Sequence, residues 1–181
     1  MLYEKKKITL KDGREAVLKA PDPSEAAAML RFLKTLASET EFILRYPEEC
    51  TETDEQEAAF LESVNQSPTD LMIVCTVDGE IAGNCQISFH KRLKIAHRAD
   101  IAIGVLQKYW GLGIGTALLA ELERAAERKG ILQLELEYIE GNERGKALYE
   151  KTGFVPVGER PDAIRLRDGS MRNIIMMIKR R

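Results

Sequence analysis

The sequence has little cysteine, little net charge and no long apolar run. Three cysteines among 181 residues are an odd number, which argues against a disulfide framework and for a reducing compartment. A formal net charge of -2 supplies no basic field for nucleic acid. No stretch approaches the length that spans a bilayer, and the charged amino terminus lacks the apolar segment of a secretory signal. We therefore expect a cytoplasmic protein that binds neither nucleic acid nor membrane.

The rest of the composition is that of an ordinary globular domain. Hydrophobic residues make up 44% of the chain and charged residues 31%, close to the averages for such domains. A chain of 181 residues can bury a core large enough to fold without disulfides or metal ions. No repeat, low-complexity tract or linker interrupts it. The sequence predicts one domain over residues 1–181.

Hydrophobic periodicity divides the chain into an antiparallel half and a half in which helices and strands alternate. Asp12-Gly13 and Asp78-Gly79 are two-residue turn signals, and each predicts a hairpin. The second hairpin is extended by a third strand that ends at Val105, after which the apolar spacing becomes helical. The pattern is typical of the α+β class. The predicted strands are 5–10, 15–19, 71–77, 81–89, 97–105, 131–139, 154–157 and 172–178, and the predicted helices run from about 24 to 37, from 53 to before 68, over 114–129 and from 142 to 153.

The second predicted hairpin contains two of the three cysteines. A two-residue turn at Asp78-Gly79 pairs Cys85 with Met72 and Cys75 with Ala82. This register places the two thiols on opposite faces of the strand pair, so we expect no bridge between them.

A glycine-rich turn lies between the third strand and the long helix. In a strand, turn and helix arrangement, unpaired N–H groups and the positive helix end converge on one point, which attracts phosphate. Glycines let the backbone approach a ligand closely and adopt positive φ. A turn that uses glycine only for packing is equally compatible with this pattern. The turn consists of Tyr109, Trp110, Gly111, Leu112, Gly113, Ile114, Gly115 and Thr116.

Spacing excludes two common phosphate-binding motifs. A dinucleotide fingerprint requires G-x-G-x-x-G/A, and its third position is Thr116 when counted from Gly111 and Leu118 when counted from Gly113. A P-loop requires lysine before its Ser/Thr, and Gly115 occupies that position here. We therefore do not expect nucleoside triphosphate hydrolysis.

A second motif begins at Asn142 and ends at Phe154, one helix and one strand after the turn. It has the form Asn-x-x-small, then Leu-Tyr, then Gly-Phe. Seven helical residues rotate the chain by about 700°, so Asn142 and Tyr149 share a helix face. Each also has a purely structural explanation, Asn142 as a helix cap and Tyr149 as part of an apolar stripe.

Together the two motifs resemble those of the GNAT acyltransferase superfamily, over about residues 71 to 178. The coenzyme A loop of that family has the form Arg/Gln-x-x-Gly-x-Gly/Ala, and Trp110 stands here in place of arginine or glutamine. The resemblance implies a GNAT fold, with a mixed, mostly antiparallel central sheet that is splayed near residue 105 around the acyl-CoA site and flanked by helices. It implies acetyl-CoA as co-substrate. The implied coenzyme-binding residues are Ile103, Gly104, Val105, Trp110, Gly111, Leu112, Gly113, Ile114, Gly115, Thr116, Asn142 and Tyr149.

The resemblance also implies direct attack of a substrate amine on the thioester, without an acyl-enzyme intermediate. Tyr149 matches the tyrosine acid of the family, and a hydroxyl with an ordinary pKa of about 10 stays protonated at pH 7. Asp100 stands where similar members carry a carboxylate and is the candidate base. A solvated Asp100 paired with Arg98 is an equal alternative, and His97 could assist as a base. No metal site is expected, because the chain has only His97 and His90 and no metal-ligand spacing.

The acceptor is the least determined part of the prediction. An acidic segment over residues 39–57 favours a small cationic amine or a protein amine, although a solvated acidic helix face is the better explanation of the segment. The alternative function is a catalytically inactive acyl-CoA-binding regulatory module, against which Tyr149 argues. A homodimer is compatible with the resemblance, since dimers are common among similar proteins. The acidic residues are Glu39, Glu41, Glu48, Glu49, Glu52, Asp54, Glu55 and Glu57.

Overall fold

Eight strands form one sheet in the computed structural model, which describes residues 1–181. The strand order is β1-β2-β3-β4-β5-β6-β8-β7, and every neighbouring pair is antiparallel except β5 and β6. The prediction of a mixed, mostly antiparallel sheet flanked by helices is confirmed. The strands are β1 Lys6–Thr9, β2 Glu15–Lys19, β3 Asp70–Val77, β4 Glu80–Phe89, β5 Arg98–Val105, β6 Gln133–Ile139, β7 Val155–Arg165 and β8 Met171–Arg180.

Four helices flank the sheet, and their starts follow the capping residues. Thr53 and Gln56 form the predicted capping box, and the Asn142 side chain accepts a hydrogen bond from the N–H of Gly145. The first helix begins later than predicted, because Asp22 caps a short 3-10 turn that precedes it. No helix combines the length and apolar character that a membrane crossing requires. The helices are α1 Ala26–Glu39, α2 Asp54–Gln66, α3 Ile114–Arg128 and α4 Glu143–Lys151.

Strand register places α1 and α3 on opposite faces of the sheet. Cys85 of β4 pairs with Ile103 of β5, and its thiol lies 3.9 Å from the carbonyl oxygen of Leu118 in α3. Gly104, one residue after Ile103, belongs to the opposite face. A Cβ at Gly104 would stand only 2.6 Å from the Leu36 side chain of α1, so this helix packs closely on that second face.

The prediction that the two hairpin cysteines lie on opposite faces is wrong. Cys75 pairs with Gly83, and Cys85 lies two residues after Gly83 on the same strand. Alternate residues of a strand share a face, so both thiols point to one side. A register shift between Cys75 and Thr76 causes the difference, since it inserts Ala82 as an extra residue into β4. Both cysteines are buried and free.

The sheet opens between β5 and β6. Their parallel pairing covers only three residues of each strand and ends at Asp100 and Glu135. Beyond Asp100, β5 stays paired with β4 as far as Val105, whereas β6 follows β8. The splay predicted near residue 105 therefore begins five residues earlier, directly after Asp100. It leaves one edge of β5 free from residue 101 to residue 105.

Candidate active site

The glycine-rich turn presents a row of backbone donors without protein acceptors. Gly113 is the N-cap of α3 with φ +96°, and Gly111 has φ +78°, so both adopt the left-handed conformation that favours glycine. Ala117 donates to the Gly113 carbonyl, but the six N–H groups from Gly111 to Thr116 have no acceptor in the protein. These N–H groups lie at the positive end of α3, where an anion is stabilised.

The turn is fixed in place by the first hairpin and by Trp110. Lys11 donates its backbone N–H to the Leu112 carbonyl at 3.1 Å. The Trp110 indole N–H donates to the Val105 carbonyl at 2.7 Å, which ties the turn to the end of β5. The Val105 carbonyl is therefore occupied within the protein. The residue that departs from the family motif thus has a structural role in the turn.

Two cations without carboxylate partners stand beside this turn. The Arg144 guanidinium, from the first turn of α4, lies 4.5 Å from the centre of the Trp110 ring. This distance is that of a cation–π contact. The aliphatic part of Lys11 lies within 4 Å of the Cβ position of Gly113. Neither cation takes part in an ion pair.

Two other polar side chains near the turn are already engaged. Gln107 donates its side-chain N–H to the Glu39 carbonyl at 2.6 Å. Lys108 binds the Glu80 carboxylate at 2.6 Å. Of the side chains around the turn, Arg144 and Lys11 are the ones whose charge is free for an anionic ligand.

Helix α4 closes over the turn and carries the second motif. A Cβ at Gly115 would stand 2.9 Å from the Leu148 side chain of α4 and 3.9 Å from that of Ile103 in β5, so three elements meet here. The Asn142 side-chain oxygen accepts from the N–H of Gly145 at 2.9 Å and caps the helix. The capping explanation of Asn142 is thus present in the structure, and a coenzyme contact through Asn142 stays a prediction.

Tyr149 lies in an aromatic pocket at the open side of the sheet. It is 8% exposed and packs between Tyr138 of β6, with ring centres 6.0 Å apart, and Phe154, at 6.3 Å. Its hydroxyl forms no hydrogen bond within the protein and keeps some contact with solvent. Burial raises the pKa of Tyr149 to about 12. The hydroxyl is therefore a protonated donor at neutral pH.

Asp100 sits at the point where β5 and β6 separate, and its contact is His90. The His90 Nε2 atom lies 3.3 Å from Asp100 Oδ2 and is otherwise buried without a hydrogen-bond partner. Burial raises the pKa of Asp100, whereas the charge of His90 opposes that shift. The alternative of a solvated Asp100 agrees with its side chain, which is 56% exposed, but the pairing with Arg98 is wrong, because Arg98 binds Glu135 at 3.0 Å.

A cleft of about 370 Å3 lies on the α1 face of the sheet, against the free end of β5. Phe42, in the loop after α1, reaches within 4 Å of the Cβ position of Gly141 at the end of β6. This loop therefore crosses from α1 to the far side of the opening between β5 and β6. The cleft is lined by Leu33, Leu36, Ile43, Leu44, Arg45, Asn84, Cys85, Gln86, Ala102, Ile103 and Gly104.

Comparison with known proteins decides the family. The model of the acetyltransferase (GNAT) family matches residues 33–154, about two thirds of the chain. The chain belongs to the GNAT acetyltransferase family. An acetyltransferase of the GNAT family from Streptococcus pneumoniae superposes with a TM-score of 0.84 at 27% identity, over 92% of this chain and 99% of that one.

Two more distant structures share the GNAT fold. Ribosomal-protein-alanine N-acetyltransferase from Brucella melitensis has a TM-score of 0.78 at 22% identity, over 91% of this chain and 99% of that one. YncA from Salmonella typhimurium, solved with its cofactor acetyl-CoA, has a TM-score of 0.77 at 17% identity, over 91% and 93%. At these identities the likeness shows the fold alone.

In this GNAT fold the predicted site residues gather around one opening, with additional residues that the sequence did not reveal. The turn, the free edge of β5 and Tyr149 surround the gap between β5 and β6. Sequence reasoning missed His90, Arg144 and Lys11 as site residues. His90 follows the end of β4, and counting the hairpin register back from Asp100 is the signal that could have found it. Arg144 and Lys11 carried no local signal.

Proposed function

We propose that this chain transfers an acetyl group from acetyl-CoA to a primary amine, with residues 1–181 acting as one domain. The observation that carries the proposal is the row of six unoccupied N–H groups from Gly111 to Thr116, at the start of α3 and beside the free edge of β5. Such a row suits the pyrophosphate of a coenzyme. The three free cysteines fit the reducing conditions of the cytoplasm, where we expect the reaction to occur.

The coenzyme side of the site combines backbone donors with two cations that have no carboxylate partner. The N–H groups of the turn bind the pyrophosphate, and Arg144 adds its charge from the face of Trp110. Arginine is well suited to this contact because its planar guanidinium stacks and still donates to phosphate. In this way Arg144 supplies the charge that the family motif places at position 110. The free edge of β5, residues 101–105, takes the pantetheine arm through backbone hydrogen bonds.

The reaction forms a C–N bond and breaks the C–S bond of the thioester. The amine must lose a proton, because an alkylammonium with a pKa of about 10.4 is not a nucleophile. Asp100 accepts that proton, and partial burial raises its pKa above the ordinary carboxyl value, which makes it a stronger base. A backbone N–H on the free edge of β5 stabilises the oxyanion that forms.

Tyr149 stabilises the departing thiolate. A thiol has an ordinary pKa of about 8.5, lower than that of the buried Tyr149 hydroxyl at about 12. Complete proton transfer from Tyr149 to sulfur is therefore uphill, and the hydroxyl acts mainly by donating a hydrogen bond. The thiolate then takes its final proton from solvent.

The experiment is to measure thiol release from acetyl-CoA over a panel of primary amines and to identify the acetylated product by mass. Amine-dependent release with a matching product supports the proposed function. Calorimetric binding of acetyl-CoA without release for any amine supports instead the inactive coenzyme-binding module. Absence of binding contradicts both.

A further inference from the structure

The cleft beside β5 has apolar walls, and its one charged side chain is already paired within the protein. Its walls are Leu33 and Leu36 from α1 and Ile43 and Leu44 from the following loop. Leu44 is 76% exposed at the mouth, although it is a large apolar side chain. The floor carries the neutral amides of Asn84 and Gln86. An occupant of this cleft contacts hydrocarbon on its sides and uncharged polar groups below.

Arg45 is the one lining side chain that is charged at neutral pH, and it is already held within the protein. Its guanidinium forms an ion pair with Glu52 and donates to the Glu49 carbonyl at 3.3 Å. A carboxylate on the occupant would have to displace Glu52 to reach it. Arg45 therefore does not attract an amino acid into the cleft.

The acidic segment over residues 39–57 includes the loop that forms one wall of the cleft, with Ile43, Leu44 and Arg45. Glu48 pairs with Arg167, and Glu49 accepts the Tyr46 N–H at 2.7 Å. Glu39 accepts the backbone N–H of Gln107 at 2.8 Å. None of the eight carboxylates of the segment forms part of the cleft wall. Arg167 and Arg45 neutralise Glu48 and Glu52, and the other six carboxylates of the segment attract cations and repel anions but offer no partner inside the cleft.

We propose that the acceptor is a primary amine attached to an uncharged apolar body, an alkylamine or arylalkylamine. Its single ammonium is drawn in by the acidic segment, and its apolar part is buried against Leu33, Leu36 and Leu44. A second ammonium would lie against these leucines without a carboxylate, which is costly. A carboxylate would meet the acidic segment at the entrance. This inference rests on the proposed function and names the substrate class of the same site.

Matched acceptor pairs test the inference through thiol release. Pentylamine is compared with 1,5-diaminopentane, which adds a second amine, and 3-methylbutylamine with leucine, which adds a carboxylate. We expect kcat/KM to be at least ~10-fold higher for the first member of each pair, since an unpaired charge on an apolar wall is strongly disfavoured. A peptide with an N-terminal alanine is included as a protein-type acceptor. Equal or higher kcat/KM with the diamine, leucine or the peptide overturns the inference.

A pair of variants distinguishes the effect of a charge on the cleft wall from the effect of the overall charge of the protein. Leu33→Glu places a carboxylate on the wall and should raise the ratio of diamine to monoamine kcat/KM at least ~10-fold, because the second ammonium gains a partner. Thr35→Glu adds the same single carboxylate at an exposed position of α1 outside the cleft and should leave the ratio unchanged. Equal ratios in both variants contradict the assignment of the cleft. Acetyl-CoA affinity, measured by calorimetry in both variants, reports on folding and on the coenzyme side. If the wild-type protein neither releases thiol with any acceptor nor binds acetyl-CoA, the proposed function itself is refuted.

Discussion

The glycine-rich turn and the cleft beside β5 are built in different ways. The turn uses backbone N–H groups of consecutive residues, from Gly111 to Thr116, and depends on two glycines with positive φ. The cleft uses side chains from α1, its following loop, β4 and β5, which are far apart in sequence. Changes in the two regions should therefore affect different measurements.

The largest expected effect comes from Gly113→Val. A side chain at φ +96° strains the N-cap and turns the N–H groups away from the ligand. Two or more charge-assisted hydrogen bonds are lost, so acetyl-CoA affinity should fall at least ~100-fold by calorimetry. Gly169→Val is the control, because Gly169 has φ +86° in a remote turn with no atom within 4 Å of its Cβ position. Retained affinity in Gly113→Val would remove the distinction between the two regions.

Tyr149→Phe tests the point where the two regions meet. The variant should lower kcat about 100-fold, because it removes the donor to the departing thiolate, and should leave acetyl-CoA affinity within about twofold. Tyr138→Phe deletes the same atom from the neighbouring ring and should leave kcat nearly unchanged. Since the acid form of Tyr149 persists below its pKa of about 12, wild-type activity should show no loss from its ionisation up to about pH 10. A similar fall in both variants would point to packing and not to a hydrogen bond from Tyr149 to the thiolate.

Arg144→Gln should weaken acetyl-CoA binding about 10-fold, the value of one charge-assisted contact. The salt dependence of binding should decrease as well, because one cation is lost. Lys151→Gln removes a positive charge from the other end of α4 and should change neither quantity.

A second substitution makes the Arg144 test specific. Adding Trp110→Arg to Arg144→Gln returns the guanidinium to the position where the family motif has it. We expect this double variant to recover most of the lost affinity. An unchanged affinity in Arg144→Gln alone would show that the stacked pair has no part in coenzyme binding.

The smallest expected effect concerns the base. His90→Gln removes the imidazolium that favours the Asp100 carboxylate, so the pKa of Asp100 should rise further. A base with a higher pKa is protonated up to a higher pH, which moves the acidic limb of activity upward. Carbon-detected NMR titration of the Asp100 carboxyl measures the shift directly. His97→Gln is the control, since His97 is exposed and forms no ion pair with Asp100. A lowered or unchanged pKa in His90→Gln would contradict the pairing.

The sequence was informative where physics is local. Capping by Thr53 and Asn142, the two hairpin turns and the glycine turn all follow from neighbouring residues, and the structure has them where the pattern predicted. The predicted relative positions of Cys75 and Cys85 were wrong because a bulge at Ala82 shifts the register by one residue, and the adjacent Gly83 is the one local sign of that bulge.

Long-range contacts could not be predicted from the sequence. Arg144 reaches Trp110 only because α4 packs over the start of α3, and His90 reaches Asp100 only through the register of β4 and β5. The partners of the acidic residues, such as Arg167 for Glu48, likewise come from segments far apart in the chain. For this reason the acceptor class that we propose is argued from the folded cleft, whereas the acidic composition alone favoured a small cationic amine or a protein amine.

The most direct test of the central claim is a crystal structure of the chain with acetyl-CoA. The account predicts pyrophosphate oxygens within hydrogen-bond distance of the N–H groups between Gly111 and Thr116, with the thioester in the opening between β5 and β6 near the Tyr149 hydroxyl. A coenzyme bound elsewhere, or a turn left empty at saturating acetyl-CoA, would contradict it.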